Sequence, residues 1–354
     1  MQESFLALIR LGIGHSMTDI VERPNWTVLQ TLATRQGLAA VLLDGIEGLL
    51  EEQRPPKTML LQWIGEALHN YENYYGLYLR ALAELAGWYN AHGYKMMVLK
   101  GYACGMDWPK PEHRPCGDID IWLFGKQREA DDLLAKESGI LLDKSHHHHT
   151  VFSWGDFMVE NHYDFINVHH HRSNREMETI LKELGGDDSH YVDVLGERVY
   201  LPSPNLHALF LLRHSMAHFA SERITLRHLL DWAFFVKTHG QEVDWRWLIG
   251  ILERFGMRRL FDIFNAICIE DLGFESNIFP PLTKVDGSIK NRVLSEIISP
   301  EFYEREPNAF LPRVLFKYRR WCANEWKHQL CYKESMWSAF WSGMWSHLQK
   351  PHSI

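Results

Sequence analysis

The sequence lacks a CxxC pair, an excess of basic residues and any long apolar run, and each absence excludes a class of protein. Its five cysteines have no metal-binding spacing, and an odd number of them in a chain of 354 residues is typical of reduced intracellular thiols. The 37 Lys and Arg against 45 Asp and Glu give a formal charge of -8, which argues against a general polyanion binder. No apolar run approaches the roughly 20 residues that span a bilayer.

The amino-terminal stretch MQESFLALIRLGIGHS also lacks the basic segment, long apolar core and small-residue cleavage site of a secretory signal. These absences predict a cytoplasmic protein without a membrane partner. A content of 46% hydrophobic and 23% charged residues is typical of a globular chain. Histidine and tryptophan are the residues in excess, with 21 and 14 copies.

Three segments of the chain differ in their apolar pattern. Helical spacing before Gly93 predicts an N-terminal helical cap, residues 1–92. Short β-like runs predict a compact α/β core, residues 93–202, with hairpins at Gly155-Asp156 and near Gly196. Helical spacing then returns and predicts a large C-terminal helical domain, residues 203–354. The expected fold class is α+β, a small mixed sheet flanked by helical segments.

Carboxylates form the most informative pattern. In Asp118-Ile119-Asp120-Ile121, residues two apart on a strand share a face, so both carboxylates project together. Two carboxylates roughly 4 Å apart repel by about 4 kcal/mol at an effective dielectric near 20, and a divalent metal is their usual partner. Glu160, on a later strand, adds a third. Three carboxylates from neighbouring strands can hold two metal ions about 3.5–4 Å apart, an arrangement that serves phosphoryl transfer.

Three stretches of sequence together resemble a known family. They are LKGYACGMDWPKPEHRPCGDIDIWLF, VENHYDF and LLRHSMAHFASERITLRHLLDWAFFV. Their KG…R…DxD…ExH pattern resembles the uncharacterised bacterial nucleotidyltransferase family, within the DNA polymerase beta-like superfamily, over roughly residues 26–238. The resemblance implies a nucleotidyltransferase core in the α+β fold. It also implies metal-dependent transfer of a nucleoside monophosphate from an NTP, ATP among the candidates, to a hydroxyl on a small molecule, protein or RNA.

The resemblance also implies roles for individual residues. Asp118 and Asp120 would bridge two Mg²⁺ or Mn²⁺ ions, and Glu160 would complete the ion nearer the acceptor hydroxyl. His162, two residues after Glu160, would be either a metal neighbour or an acceptor-side base. The residues expected to bind the nucleotide are Lys100, Gly101, Tyr102, Arg114 and His162.

The chain departs from the superfamily at Tyr102. Ser or Gly normally stands there and lets the backbone approach the triphosphate, and Lys100, as a cation beside the phosphates, would compensate. The departure favours an alternative, a catalytically degenerate member that binds nucleotide or a partner without turnover. Because related proteins include toxins that modify tRNA or protein, a toxin-like role with an antitoxin or neighbouring-gene partner is a further hypothesis.

Histidines outside the family pattern leave alternatives open. Two runs, residues 146–149 and 169–171, fit either transition-metal binding or a polar loop beside the site. The i, i+4 pairs fit either a second cluster facing the nucleotide or, as we favour, a packed histidine pair and an intrahelical ion pair. These pairs are His214/His218 and Arg227/Asp231. A histidine-rich metal phosphohydrolase centred on His214, His218 and Asp231 is the least favoured hypothesis, because its usual signature has a His-Asp dipeptide and no histidine here is followed by Asp.

The last helical stretch carries Trp337, Trp341 and Trp345 at i, i+4 and i+8. We expect this stripe to pack in a core rather than to lie on a membrane surface or in a partner groove, because few Lys or Arg flank it.

Overall fold

The structure, a computed structural model, describes residues 1–16, 24–146, 148–169, 171–302 and 307–349, the last seven of these by backbone alone. The helices are α1 (Gln2–Gly12), α2 (Trp26–Gln36), α3 (Ala39–Glu47), α4 (Lys57–Ala67), α5 (Tyr74–Ala91), α6 (Tyr102–Gly105), α7 (Gln127–Ser138), α8 (Arg172–Leu184), α9 (Pro204–Ser221), α10 (Leu226–His239), α11 (Trp245–Phe255), α12 (Arg258–Ala266), α13 (Gly287–Ile298), α14 (Phe310–Ala323), α15 (Glu325–Cys331) and α16 (Met336–Gln349). The strands are β1 (Met97–Val98), β2 (Ile119–Trp122), β3 (His149–Trp154), β4 (Phe157–His162), β5 (Tyr191–Val194) and β6 (Glu197–Tyr200). The predicted α+β class is confirmed.

The six strands form a mixed sheet in the order β3-β4-β2-β1-β6-β5. Both predicted hairpins are present, because β3 pairs antiparallel with β4 and β5 pairs antiparallel with β6. In the centre, β2 runs parallel to β4 and antiparallel to β1, and β1 runs parallel to β6. Gly155 and Gly196 take positive φ in the two hairpin turns, a conformation that glycine adopts without steric cost.

The chain divides into two compact units. One consists of Met1–Ala67 with Leu211–Met336, and the other consists of Leu68–Phe210 with the segment from Trp337 on. The sheet belongs to the second unit. Compactness does not show which segments fold on their own, so the three-domain division into residues 1–92, 93–202 and 203–354 stays a prediction.

One face of the sheet is apolar and is covered by α5 and α7. Ile119, Ile121 and Val159 lie on this face, and each is fully buried. The helices contribute a common set of buried side chains: Tyr78, Leu82, Leu85, Ala86, Ala130 and Leu134. Burying one large aliphatic or aromatic side chain stabilises the fold by about 1.5–3 kcal/mol. Because side chains alternate along a strand, the residues between these apolar ones point to the opposite face.

The expectation that the tryptophan stripe packs in a core is wrong for its first two members. Trp337 and Trp341 are each 58% exposed, and Phe340 between them is 44% exposed. The side chain of Trp345 lies outside the described part of the chain. Among the described helices, none has both the length and the apolar character needed to cross a membrane.

Candidate active site

The sheet register places the predicted site residues on one face. Asp120 on β2 is paired with Glu160 on the parallel strand β4, and Trp122 is paired with His162. On the other side of β4, His149 is paired with His162. Directly paired residues share a face of a sheet, as do residues two apart on a strand. Asp120, Glu160, His162 and His149 therefore lie together on the face opposite the apolar core.

Asp120 is the centre of this group, and it has two cationic partners. The backbone N–H of Leu99 donates to the carbonyl of Asp120 at 3.0 Å. This hydrogen bond holds the residue that follows β1 beside β2. Lys100 follows directly, and its Nζ lies 2.7 Å from Oδ1 of Asp120. His162 Nε2 lies 3.1 Å from the same oxygen and 3.5 Å from Oε2 of Glu160. The Asp120 side chain is only 1% exposed, so these partners replace water as its hydration.

Burial and neighbouring charge act against each other on the pKa values of this group. Burial would raise the pKa of Asp120, but the Lys100 charge and the hydrogen bond from His162 outweigh it and hold that pKa well below its usual range. Burial would raise the pKa of Glu160, but its hydrogen bond with His162 lowers it. For His162, burial alone would lower the pKa, yet the hydrogen bonds to Asp120 and Glu160 raise it to about 9. Lys100 and His162 therefore supply the positive charge that balances Asp120.

Asp118 lies one residue before β2 and is half-buried. Burial first, and then the charge of Asp120, raise the pKa of Asp118. Asp120, Glu160 and His162 form one group whose possible ligand atoms lie within 4.8 Å of one another, and Asp118 belongs to no such group among the described residues. Two carboxylates and an imidazole in this arrangement form a donor set suited to a divalent cation.

The predicted nucleotide-binding residues lie on the segment that follows β1 and on the loop before β2. Gly101 has φ +59°, and Tyr102 begins the short helix α6 and packs against the apolar core. Arg114 is 5% exposed, and its Nη1 donates to the carbonyl of Pro115 at 3.2 Å. The structure brings Lys100 to the carboxylates. The contact of Lys100, Tyr102 or Arg114 with a phosphate stays a prediction.

Sequence reasoning missed the placement of two histidines from the first run. The ring of His149 lies 4.3 Å from that of His148 and 5.3 Å from that of His162, and the rings of His148 and His162 lie 5.7 Å apart, measured between centroids. The sequence does contain a signal for this placement, because the histidine run continues directly into the strand HTVFSW. The antiparallel register of that strand puts its first residue, His149, opposite His162. His147 and His170, members of the two runs, lie outside the described residues.

The other pairs singled out in the sequence fall in the first unit. The ring centroids of His214 and His218 lie 4.5 Å apart on α9, and His218 Nδ1 lies 3.7 Å from Oε2 of Glu222. Asp231 on α10 is 6% exposed. A packed histidine pair accords with this geometry. A functional role for His214, His218, Arg227 and Asp231 stays a prediction.

A cavity of about 1010 Å³ opens elsewhere on the second unit. Its lining includes four basic side chains, Lys95, Lys126, Arg128 and Lys182, but none of the carboxylates described above. This cavity therefore does not extend over Asp120.

The raised pKa of His162 predicts that the metal-free protein loses stability in alkaline solution. The pKa is about 9 in the fold and 6.5 for an unperturbed histidine, so the stabilisation is complete below pH 6.5 and is lost as the pH rises through 9. The loss is on the order of 1–3 kcal/mol of unfolding free energy. Urea unfolding in EDTA at several pH values measures it.

His162→Gln should flatten this pH dependence, and His190→Gln, a change at a histidine whose side chain is 40% exposed, should leave it intact. The buried neighbours His148 and His149 do not add to the effect, because burial lowers their pKa values to about 2 and about 4, below this window. An unaltered slope in His162→Gln would contradict the assignment.

Gly101 is predicted to tolerate no side chain. An alanine there would need the positive φ of +59°, and its Cβ would lie 2.5 Å from Oη of the fully buried Tyr78. Gly101→Ala should lower the unfolding free energy by about 1–3 kcal/mol through backbone strain alone, and the clash with Tyr78 should add to that loss. Gly93→Ala is the matched control, because Gly93 has φ +76° but no heavy atom within 4 Å of the added Cβ. Denaturant unfolding compares the two, and equal losses would exclude the clash.

Comparisons with known proteins agree with the resemblance read from the sequence. The family model described as uncharacterised nucleotidyltransferase matches residues 22–270, more than two thirds of the chain. Among curated proteins none matches the sequence. A crystal structure of an antigenic nucleotidyltransferase-like protein from Paracoccidioides brasiliensis is similar at 14% identity, covering 45% of this chain and 76% of that chain, with a TM-score of 0.32. A likeness at that level carries no argument about function.

Proposed function

Because this chain belongs to the uncharacterised nucleotidyltransferase family, we propose that it transfers a nucleoside monophosphate from an NTP to a hydroxyl acceptor at the site around Asp120. Family membership supports a general nucleotidyltransferase role and an NTP substrate. The observation that carries the finer proposal is that Asp120, Glu160 and His162 meet on one face of the sheet. Asp118 lies two residues before Asp120 in the sequence.

The donor set fits a divalent metal. Asp118, Asp120 and Glu160 supply carboxylate oxygens, the ligands that Mg²⁺ and Mn²⁺ prefer, and the Asp120, Glu160 and His162 ligand atoms are already within 4.8 Å of one another. We propose that the three carboxylates hold two ions. When bound, such ions lower the pKa of an acceptor hydroxyl and offset the charge of the phosphates.

Lys100 and His162 both contact carboxylates that would bind metal. Lys100 Nζ is paired with Oδ1 of Asp120 at 2.7 Å, so a metal that binds this oxygen would displace the ammonium. The released ammonium would then contact a phosphate as a point charge, as the family resemblance implies. His162 orients both Asp120 and Glu160 through Nε2, and its Nδ1 lies 3.2 Å from the carbonyl of Asp164, which fixes the ring. It would act as a positioning residue for the carboxylates.

A degenerate protein that binds nucleotide without turnover is the second candidate. Tyr102 stands where a small residue would admit the triphosphate, and Lys100 already neutralises Asp120. Calorimetry with each of four NTPs and Mg²⁺ or Mn²⁺, paired with a pyrophosphate-release assay, separates the two. Binding with pyrophosphate release supports transfer, and binding without release selects the degenerate protein. Lys100→Ala should weaken nucleotide binding if the lysine contacts a phosphate.

The acceptor is identified by a labelling experiment. The protein is incubated with each α-labelled NTP and host-cell lysate, and wild type is compared with the double variant Asp118→Ala/Asp120→Ala. Transfer predicts a labelled band or small molecule that is absent with the variant, and identical labelling would overturn the proposal. A toxin-like role, with a tRNA or protein acceptor, predicts growth arrest on overexpression and relief by the product of a neighbouring gene.

A further inference from the structure

Three imidazoles converge beside the carboxylates. His148, His149 and His162 each offer a ring nitrogen, and these nitrogens lie within 4.8 Å of one another. The first two come from the segment that enters β3, and the third ends β4, so the hairpin register brings them together. Two separate stretches of backbone therefore converge on one small volume.

This histidine cluster is built into the protein and is not a solvated loop. His149 and His162 are 7% and 4% exposed, and His148 is partly buried. Within the described residues, the Nδ1 atoms of His148 and His149 are buried and have no hydrogen-bond partner. Buried polar atoms are nearly always satisfied, so two unsatisfied ring nitrogens in one metal-ligating cluster need an explanation, and a cation held by the rings would supply one.

We propose that His148, His149 and His162 form a binding site for a transition-metal cation of the Zn²⁺ or Co²⁺ type. Imidazole nitrogens favour late first-row metals, whereas Mg²⁺ prefers oxygen ligands in an octahedral arrangement. Glu160 stands next to the cluster, with Oε1 4.0 Å from His149 Nε2. Three imidazole nitrogens are a donor set that holds zinc in known sites, where the fourth position of the tetrahedron stays open to another donor.

The histidine cluster and the carboxylates share His162. His162 contacts both Asp120 and Glu160. If a transition metal binds the ring of His162 in place of these contacts, each carboxylate loses His162 as a partner. The two sites are therefore coupled through one ring. Metal binding by the histidine cluster requires no nucleotide transfer, and its test is independent of the transfer reaction.

The test uses tag-free, chelator-treated protein titrated with Co²⁺ and followed by visible absorption and calorimetry. Wild type should bind one Co²⁺ per chain with the intense visible bands of a tetrahedral, nitrogen-rich site. His148→Phe and His149→Phe keep an aromatic ring of similar size and remove one ligand each, and each should weaken Co²⁺ binding by about 100-fold or more. Unchanged affinity and spectrum in both variants would overturn the proposal.

Two matched variants control for other ways to bind Co²⁺. His146→Phe alters a member of the same run that stacks on His149 at 4.6 Å but lies outside the histidine cluster, with a side chain 43% exposed. It should bind Co²⁺ like wild type, and an equal loss there would mean adventitious binding by the exposed run. Asp118→Asn should also retain the Co²⁺ bands. Loss of transfer in Asp118→Asn with the bands intact separates the two sites.

A measurement on wild type alone keeps the proposal testable if the Phe variants do not fold. X-ray absorption of the Zn²⁺-loaded protein should show the multiple scattering of three imidazoles in the first coordination sphere. A shell made of oxygen, or one with a single imidazole, would overturn the proposal whatever the outcome of the transfer assays.

Discussion

Asp120→Asn is expected to lower nucleotide transfer by about 10³-fold or more, because metal ions at such a site contribute several kcal/mol to the transition state. Asp120 is 1% exposed and is the register partner of Glu160 on the neighbouring strand. An amide keeps the shape of the side chain and removes its charge. Glu160→Gln should act in the same direction. Initial rates of pyrophosphate release at saturating NTP measure both.

The control for this experiment is Asp156→Asn, which changes an exposed carboxyl in the turn of the same β3–β4 hairpin. It should leave the rate unchanged, and thermal unfolding of all variants checks that the fold survives. Retention of more than a tenth of the wild-type rate by a folded Asp120→Asn protein would show that the chemistry takes place elsewhere.

Lys100→Met should destabilise the metal-free protein by about 2–4 kcal/mol, because removing one partner of a buried ion pair leaves an uncompensated charge. The Lys100 side chain is 19% exposed and its partner Asp120 is 1% exposed, so water replaces the lost ammonium poorly. His162 remains beside Asp120 and keeps the loss from being larger. Saturating Mg²⁺ or Mn²⁺ should restore part of the lost stability, since the cation takes over the role of counter-charge. Urea unfolding with and without metal measures both effects.

A lysine on the surface of the same unit supplies the comparison. Lys182 is paired with Asp164, but its side chain is 42% exposed, and Lys182→Met should therefore cost under about 1 kcal/mol and gain nothing specific from metal. If the two variants lose the same unfolding free energy, the Lys100–Asp120 pair contributes no more than a surface ion pair. If metal fails to restore Lys100→Met, Asp120 is not a metal ligand.

The sequence predicts that Asp120 and Glu160 come from strands with the same alternation of acidic and apolar residues, because this pattern is local. Asp118 and Asp120 stand between apolar residues, and an acid amid apolar neighbours on a later strand is enough to suggest Glu160 as their companion. The same reasoning predicts both hairpins from their turn residues. The alternation of the strands and the hairpin turns can each be predicted from a few adjacent residues.

What the sequence does not predict depends on long-range register. The ion pair between Lys100 and Asp120 arises because β1 lies next to β2, and the meeting of His149 with His162 requires the β3–β4 pairing to be known to the residue. A slip of one residue would put His149 on the opposite face. The exposed Trp337 shows a second limit, since helical spacing of apolar residues does not reveal whether another element covers them.

The division of the chain has a consequence for its synthesis. The segment Leu68–Phe210, which holds the sheet and all the site residues, interrupts the first unit, whose two parts lie on either side of it in sequence. The chain emerges from the ribosome amino end first, so the whole sheet emerges before residues 211–336 are complete. We therefore expect the face that carries Asp120 and Glu160 to be assembled on a nascent chain before the helices of Met1–Ala67 can pack against residues 211–336. Pulse proteolysis of stalled chains ending near residue 240 would detect the early protected core.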